Sequence, residues 1–369
     1  MSFIIFIIIL SLLIIVHELG HFLVAKRFGI RVDEFGLGFP PRVKELFVWR
    51  DTPFTLNWLP FGGFVKIFGE NPVEANPLGS STSKYLEVEL PSDSFQSKNR
   101  GIQATILVAG VVGNFIFAWL LISLGFMTGL SAPESLSLPL EDAHIIITTV
   151  LPDSPAFQAG LESGDTVISL SRGGVYAELD PEALSEFIAN SPEPLLFMLE
   201  RGSETLKKKV IPEAGIIAGR PAVGISMDVI GIVQLPFHQA LWYSLKTTTE
   251  LTVQTAKALG TFISQAFVGQ ADFSSVTGPV GIVGLVGEAR ELGFVYLLTF
   301  TALISINLAI INLLPFPALD GGRLLFVGIE ALTRRPIPPL VFNALNTAGF
   351  ALLILLMILI TIQDVRNIF

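Results

Sequence analysis

Four long apolar runs divide the chain, and between them the hydrophobic pattern changes character. Residues 3–24, 102–130, 293–314 and 341–362 are almost uniformly apolar, and each is long enough to cross a bilayer as a helix. Residues 53–69 alternate instead: Phe54, Leu56 and Trp58 interleave with Thr55 and Asn57, and Pro60-Phe61-Gly62-Gly63 reads as the turn of a β-hairpin. Residues 71–97, with Pro, Ser and acidic side chains, predict a flexible loop. From His144 to Pro212 the composition is that of a soluble domain. There 145–150 and 166–170 read as strands, 181–190 as a helix, and 195–200 with 205–211 as a closing hairpin. Beyond it, Phe237, Leu241, Leu245, Leu251, Leu259 and Phe262 recur near helical spacing. Trp242 and Tyr243 suit a membrane interface, so 236–268 predict an amphipathic helix on the outer bilayer surface, broken near Gly260.

Composition agrees with this pattern. At 369 residues, 51% hydrophobic and only 15% charged, the sequence is that of an integral membrane protein with room for one soluble module. A net charge of −9 without any basic stripe argues against a nucleic-acid partner, and the absence of cysteine excludes disulfides and thiolate zinc sites. The loop 25–100 carries ten Lys/Arg, and 315–340 adds Arg323, Arg334 and Arg335, which favours the cytoplasmic side for both. Residues 131–292 then lie outside, as do both termini. The expected fold is a polytopic α-helical membrane protein with four transmembrane helices, a membrane-associated β-hairpin region and one inserted α+β domain. Its parts are 1–130, the inserted domain 143–213, an amphipathic membrane-surface linker 214–291, and 292–369.

The chemistry concentrates in the first run. His17-Glu18-Leu19-Gly20-His21 sets two imidazoles four apart on one helical face, the geometry that lets both bind one Zn²⁺. Glu18 sits beside them, placed to take a proton from water. Ionisable groups at membrane depth are costly and mark function. A signal peptide would carry basic residues before its apolar core, whereas here Lys26-Arg27 follow it. Zinc needs a further ligand. The positions where soluble zinc proteases carry a later histidine hold Val24 and Arg27, and Glu34 and Glu45 sit in a polar loop. Asp320, in Asn312-Leu313-Leu314-Pro315-Phe316-Pro317-Ala318-Leu319-Asp320-Gly321-Gly322, is the better candidate. Two prolines unwind the backbone there, and the glycines permit a sharp turn.

HELGH in the first run and NLLPFPALDGG after the third resemble the site-2 protease family of intramembrane zinc metalloproteases, and most closely its bacterial regulator-of-sigma-E protease branch. Gly36-Leu37-Gly38-Phe39-Pro40, Leu59-Pro60-Phe61-Gly62-Gly63, Ala109-Gly110-Val111-Val112-Gly113-Asn114 and Thr277-Gly278-Pro279-Val280-Gly281 match further segments of that branch. The resemblance implies His17, His21 and Asp320 as zinc ligands and Glu18 as catalytic acid/base. It also implies Asn312 as a residue holding substrate backbone, with Asn114 in a lesser structural or substrate-binding role. Separately, Ser154-Pro155-Ala156 through Gly164-Asp165, followed by a strand, resembles a PDZ domain of the bacterial protease type. There is room for one such domain, where the branch's proteobacterial members carry two.

These resemblances imply a Zn²⁺ endopeptidase in a bacterial inner membrane, with the PDZ domain extracytoplasmic and the active site towards the cytoplasm. Its partners would be lipid, single-span membrane proteins such as an anti-sigma factor or signal-peptide remnants, and peptide tails at the PDZ groove. The alternative is a catalytically silent, membrane-anchored PDZ adaptor.

Overall fold

A computed structural model describes residues 1–70, 91–134, 138–191, 193–202, 204–217, 220–271 and 276–368. The expected loop 71–97 therefore lies mostly outside the described residues. The chain divides into two compact units, one made of 1–125 and 237–369 and the other of 126–236.

The first unit opens with α1 (Ser2–Arg27), apolar apart from Ser2, Ser11, the HELGH pentapeptide and the closing Lys26-Arg27. β1 (Val32–Trp49) and β2 (Thr52–Ile67) follow, then α2 (Arg100–Thr128). The strands turn at Arg50-Asp51, where both residues adopt positive φ (50° and 59°), not at Pro60–Gly63 as the alternation predicts. That combination suits the tight hairpin turn usually made by Asn-Gly, and Arg-Asp gives no sequence signal for it. Gly62 instead bends β2 in mid-strand. As a result Phe35, Gly36 and Leu37 lie between two segments of β2, opposite Phe54, Thr55 and Leu56 on one side and Val65, Phe64 and Gly63 on the other. The segment 63–67 is thus an outer edge, and among the described residues no strand covers it. Phe22 of α1 fastens the sheet to the helix by packing edge-on against Phe35 and Phe54, whose rings stack 4.7 Å apart. Phe39, Phe47, Trp58 and Phe61 of the hairpin are exposed.

The second unit holds β3 (Leu130–Pro133), β4 (Glu141–Val150), α3 (Pro155–Gln158), β5 (Thr166–Arg172), β6 (Val175–Tyr176), α4 (Pro181–Ala189), β7 (Leu195–Arg201), β8 (Glu204–Val210), β9 (Glu213–Ile217), β10 (Arg220–Ala222) and β11 (Ile225–Val233). Its sheet runs β3-β11-β4-β5-β7-β8, with β6 beside β5 and β9/β10 a separate ribbon. Ser154 and Asp180 cap α3 and α4 with their side chains. Leu170, Leu184, Leu195 and Phe197 are fully buried in its core. The predicted boundary at 213 falls short. β11 pairs with both β3 and β4, so the sheet is incomplete until the chain reaches 233, and the unit closes where Leu235 N–H donates to Phe126 O at 2.8 Å. Asp165 accepts two bonds from Arg201, at 2.6 and 2.9 Å, and one from Glu162 N–H. Burial pushes its carboxyl pKa up, but the guanidinium and the amide outweigh it, so the group ends below its ordinary range.

The chain then returns to the first unit through α5 (Phe237–Phe267), α6 (Pro279–Leu292), α7 (Phe294–Leu313), α8 (Asp320–Thr333) and α9 (Pro339–Ile368). α5 is continuous through Gly260, where a break was expected. It does more than rest on a surface: its small face of Ala240, Ser244 and Thr248 is buried, with Ser244 Oγ 2.6 Å from Ser123 Oγ of α2. The segment 214–291 is accordingly not one linker; it completes a sheet and then forms two packed helices. α6 is capped from a distance, because Asp364 of α9 accepts the N–H groups of Gly278 and Gly281 at 3.0 and 2.9 Å. α1, α2, α7 and α9 are long and apolar enough to cross a membrane, the same four segments that the hydropathy picks out.

Candidate metal centre

His17 and His21 emerge one turn apart from α1, both buried, with ring centroids 4.7 Å apart. The third residue arrives from the far end of the sequence. α7 stops at Leu313, and neither Pro315 nor Pro317 can donate the N–H that would continue it. The chain doubles back so tightly that a Cβ on Gly321 would meet the Leu314 carbonyl oxygen at 2.1 Å, and one on Gly322 the Phe316 oxygen at 2.2 Å. Glycine is obligatory at both positions. Asp320, first residue of α8, is thereby aimed at the imidazoles, its Oδ2 2.8 Å from His17 Nε2 and 3.2 Å from His21 Nε2. The two Nε2 atoms are 3.1 Å apart.

These distances test whether a zinc ion fits. A tetrahedral ion bonded at about 2.0–2.1 Å sets neighbouring ligand atoms roughly 3.3–3.4 Å apart. The three observed separations lie within about half an ångström of that spacing. Two imidazole nitrogens, one carboxylate oxygen and a remaining open position are a donor set of the catalytic zinc type. Among the described residues His17, His21 and Asp320 form the one such cluster. Glu34 is occupied elsewhere, by Arg42 at 2.9 Å and Thr55 at 2.6 Å, and neither it nor Glu45 belongs to the cluster.

The surroundings orient these side chains. His21 Nδ1–H donates to Ile106 O at 2.7 Å, leaving Nε2 unprotonated for a metal. His17 Nδ1 meets the amide of Asn114, with Nδ2 at 3.3 Å, while Asn114 Oδ1 is buried without a partner. Exchanging amide O and N lets Oδ1 accept from His17 Nδ1–H, and His17 then likewise presents a bare Nε2. Asn114 is fully buried, with its amide against the His17 ring. Asn312 Nδ2, at 3.4 Å from His17 Nε2, is partly open. Space for the imidazoles comes from glycine. A Cβ on Gly110 would stand 2.4 Å from His21 Nε2, and one on Gly20 2.3 Å from Ala109 O, so α1 and α2 meet backbone to backbone.

A cleft of about 790 Å³ opens beside the cluster, lined among others by Glu18, His21, Val65, Asp320, Arg323 and Asn346. Glu18 Oε2 accepts the backbone N–H of Val65, at the free edge of β2, at 3.0 Å. Glu70 and Arg323 form an ion pair on the cleft wall. Sequence reasoning missed Gly110 as a cradle, Val65 as a partner of Glu18, and Asn346; the first stood inside a motif and the second inside the alternating segment already noted, and Asn346 only inside an apolar run. His144 pairs with Asp142 in the other unit, apart from this chemistry.

Comparison with known proteins places the chain among zinc metalloproteases. The family described as Peptidase family M50 matches residues 5–356. Zinc metalloprotease RasP of Geobacillus kaustophilus is 30% identical, covering 100% of this chain and 98% of its own length. A Clostridium perfringens chain also named as a zinc metalloprotease is 34% identical, with 96% of each covered. RasP of Oceanobacillus iheyensis is 29% identical over 99% of this chain and 98% of its own.

Proposed function

The chain belongs to peptidase family M50 and is a zinc metalloendopeptidase of the site-2 protease type in a bacterial membrane, and on that premise we propose that it cuts single-span membrane proteins within their spanning segment. The observation that supports this most is the convergence of His17 and His21, on a helix apolar enough to span a bilayer, with Asp320, which begins α8 just after another such helix, beside Glu18.

In this reading His17 Nε2, His21 Nε2 and Asp320 Oδ2 hold the zinc. The Ile106 carbonyl and Asn114 fix the two imidazoles. Bound there, zinc supplies a Lewis acid and lowers the pKa of water towards about 7. Glu18 takes the proton of the attacking water at a carboxylate oxygen and returns it to the leaving amide nitrogen. Asn312 holds substrate backbone beside His17. A helical substrate hides its carbonyls in its own hydrogen bonds, so it must be extended first. The uncovered edge 63–67 lies beside Glu18 and accepts the unwound segment as an added strand.

The unit 126–236 is a single PDZ domain in this proposal. Among the described residues β3 pairs only with Ile230–Val233 of β11, which leaves the stretch 225–229 an open edge near α4, where an exposed protein tail adds as a strand. The domain and both termini face outwards, and the metal centre lies towards the cytoplasm of the inner membrane. Substrates are proteins such as an anti-sigma factor, in regulated intramembrane proteolysis, or signal-peptide remnants. Co-expression with tagged single-span candidates tests the reading. Parental protein yields fragments cut inside the span, and Glu18→Gln yields none while retaining zinc. If Glu18→Gln supports the full biological role, the chain is a PDZ adaptor instead.

A further inference from the structure

The turn that delivers Asp320 contains a conformation it cannot hold by itself. Ala318 has φ +75°, a region that side chains other than glycine rarely adopt. Its N–H donates to Asn346 Oδ1 on α9 at 3.1 Å, and that assignment is chemically fixed, since only the amide oxygen can accept. Three residues further along α9, Gly349 lets the two backbones touch: a Cβ there would stand 2.6 Å from the Pro317 carbonyl oxygen and 2.7 Å from its Cβ. α9 is otherwise loosely attached along its span, and a polar amide on such a helix is expensive unless it has work to do. Ala318 is two residues before Asp320, with Leu319 the extended N-cap between them. The direction of the carboxylate therefore follows from the left-handed residue that α9 pins.

We propose that Asn346 is a positioning residue for the metal centre: through Ala318 it sets the orientation in which Asp320 meets His17 and His21. The proposal rests on the reading of Asp320 as a zinc ligand. It makes α9, which carries no ligand of its own, part of what determines zinc affinity.

The test uses full-length protein in detergent, with zinc affinity read by competition against a chromophoric chelator and ligand geometry by the visible spectrum of the Co²⁺-loaded form. Asn346→Leu should weaken zinc binding about tenfold, the scale of an outer-shell loss, and alter the Co²⁺ spectrum, with the unfolding midpoint of the metal-free protein unchanged. Adding Ala318→Gly should restore most of the affinity and the parental spectrum, because glycine takes positive φ without the side-chain penalty. Where leucine prevents folding, Asn346→Ala is read in the same way. Parental affinity in the Asn346 variant, equal destabilisation of metal-free and loaded protein, or no rescue by glycine would each overturn the proposal. Asp320→Ala separates the two readings. If it retains zinc, the ligand assignment falls and this inference with it; if it loses zinc while Asn346→Leu does not, only the role of Asn346 falls.

Discussion

Val65 gives its backbone N–H to Glu18, so the carboxylate beside the metal cluster and the free edge of the sheet share one hydrogen bond. In antiparallel pairing a residue's N–H and C=O point the same way, and Val65, opposite Phe35, therefore turns both groups towards the cleft.

An added substrate strand would need that N–H. Val65→Pro removes it and should lower cleavage about tenfold or more, the equivalent of roughly 1.4 kcal/mol, with zinc content unchanged by metal analysis. Cleavage at the parental rate would end the strand-addition account.

Two glycine substitutions should part company. Gly110→Ala drives a methyl towards both imidazoles, while Gly20→Ala drives one into the Ala109 carbonyl between helices. Each overpacks the interface and should destabilise the protein by about 1–3 kcal/mol. Only Gly110→Ala should also displace ligands, and zinc stoichiometry in the folded fraction reads that difference.

If the Asn114 amide turns its oxygen to His17 Nδ1, Asn114→Ala leaves that Nδ1–H without an acceptor in a buried site. Zinc affinity should fall about 10- to 100-fold, whereas Asn114→Asp, which keeps an acceptor oxygen, should fall less. Equal losses in chelator competition would contradict the proposed orientation of that amide.

The unit 126–236 should lose stability in acid through Asp165. Its folded pKa lies below the unfolded value near 3.9, so its contribution is complete above about pH 5. It is lost as pH falls through the unfolded and then the folded value. Urea unfolding of residues 126–236 between pH 7 and pH 2.5 should show this decline. Asp165→Asn should be less stable at neutral pH and flatter across the series.

Asp364→Ala removes two acceptor contacts from the start of α6. With one buried and one partly buried N–H left unpaired, the expected loss is about 1–3 kcal/mol, visible as a lower unfolding midpoint in detergent. Asp364→Asn, which keeps one oxygen, should lie between.

Local rules carried much of this structure, and they failed where distant segments meet. The four apolar helices follow from hydropathy alone, and β4, β5, β7, β8 and α4 of the inserted unit from period and turn residues, whereas β3 and β11, which complete its sheet, were not read. Asp320 was legible because its proline- and glycine-flanked acid directly follows one spanning run while HELGH lies in another. The Arg50-Asp51 turn was not, since nothing about those side chains favours positive φ. Asn346 sits 26 residues beyond Asp320 in a helix with an ordinary apolar pattern, and its role exists only once α9 lies against the turn. The edge 63–67 was read as one arm of a simple hairpin. Its neighbour is the earlier stretch of β1, brought there by the bend at Gly62.

The inserted sheet begins and finishes at the same doorstep, Phe126 and Leu235 being tied amide to carbonyl. A segment with coincident ends is a cassette: it can be exchanged, duplicated or dropped while the flanking helices keep their spacing. Joining 125 to 237 through a few glycines should accordingly leave a bare hydrolytic core whose selectivity can be compared with that of the whole enzyme.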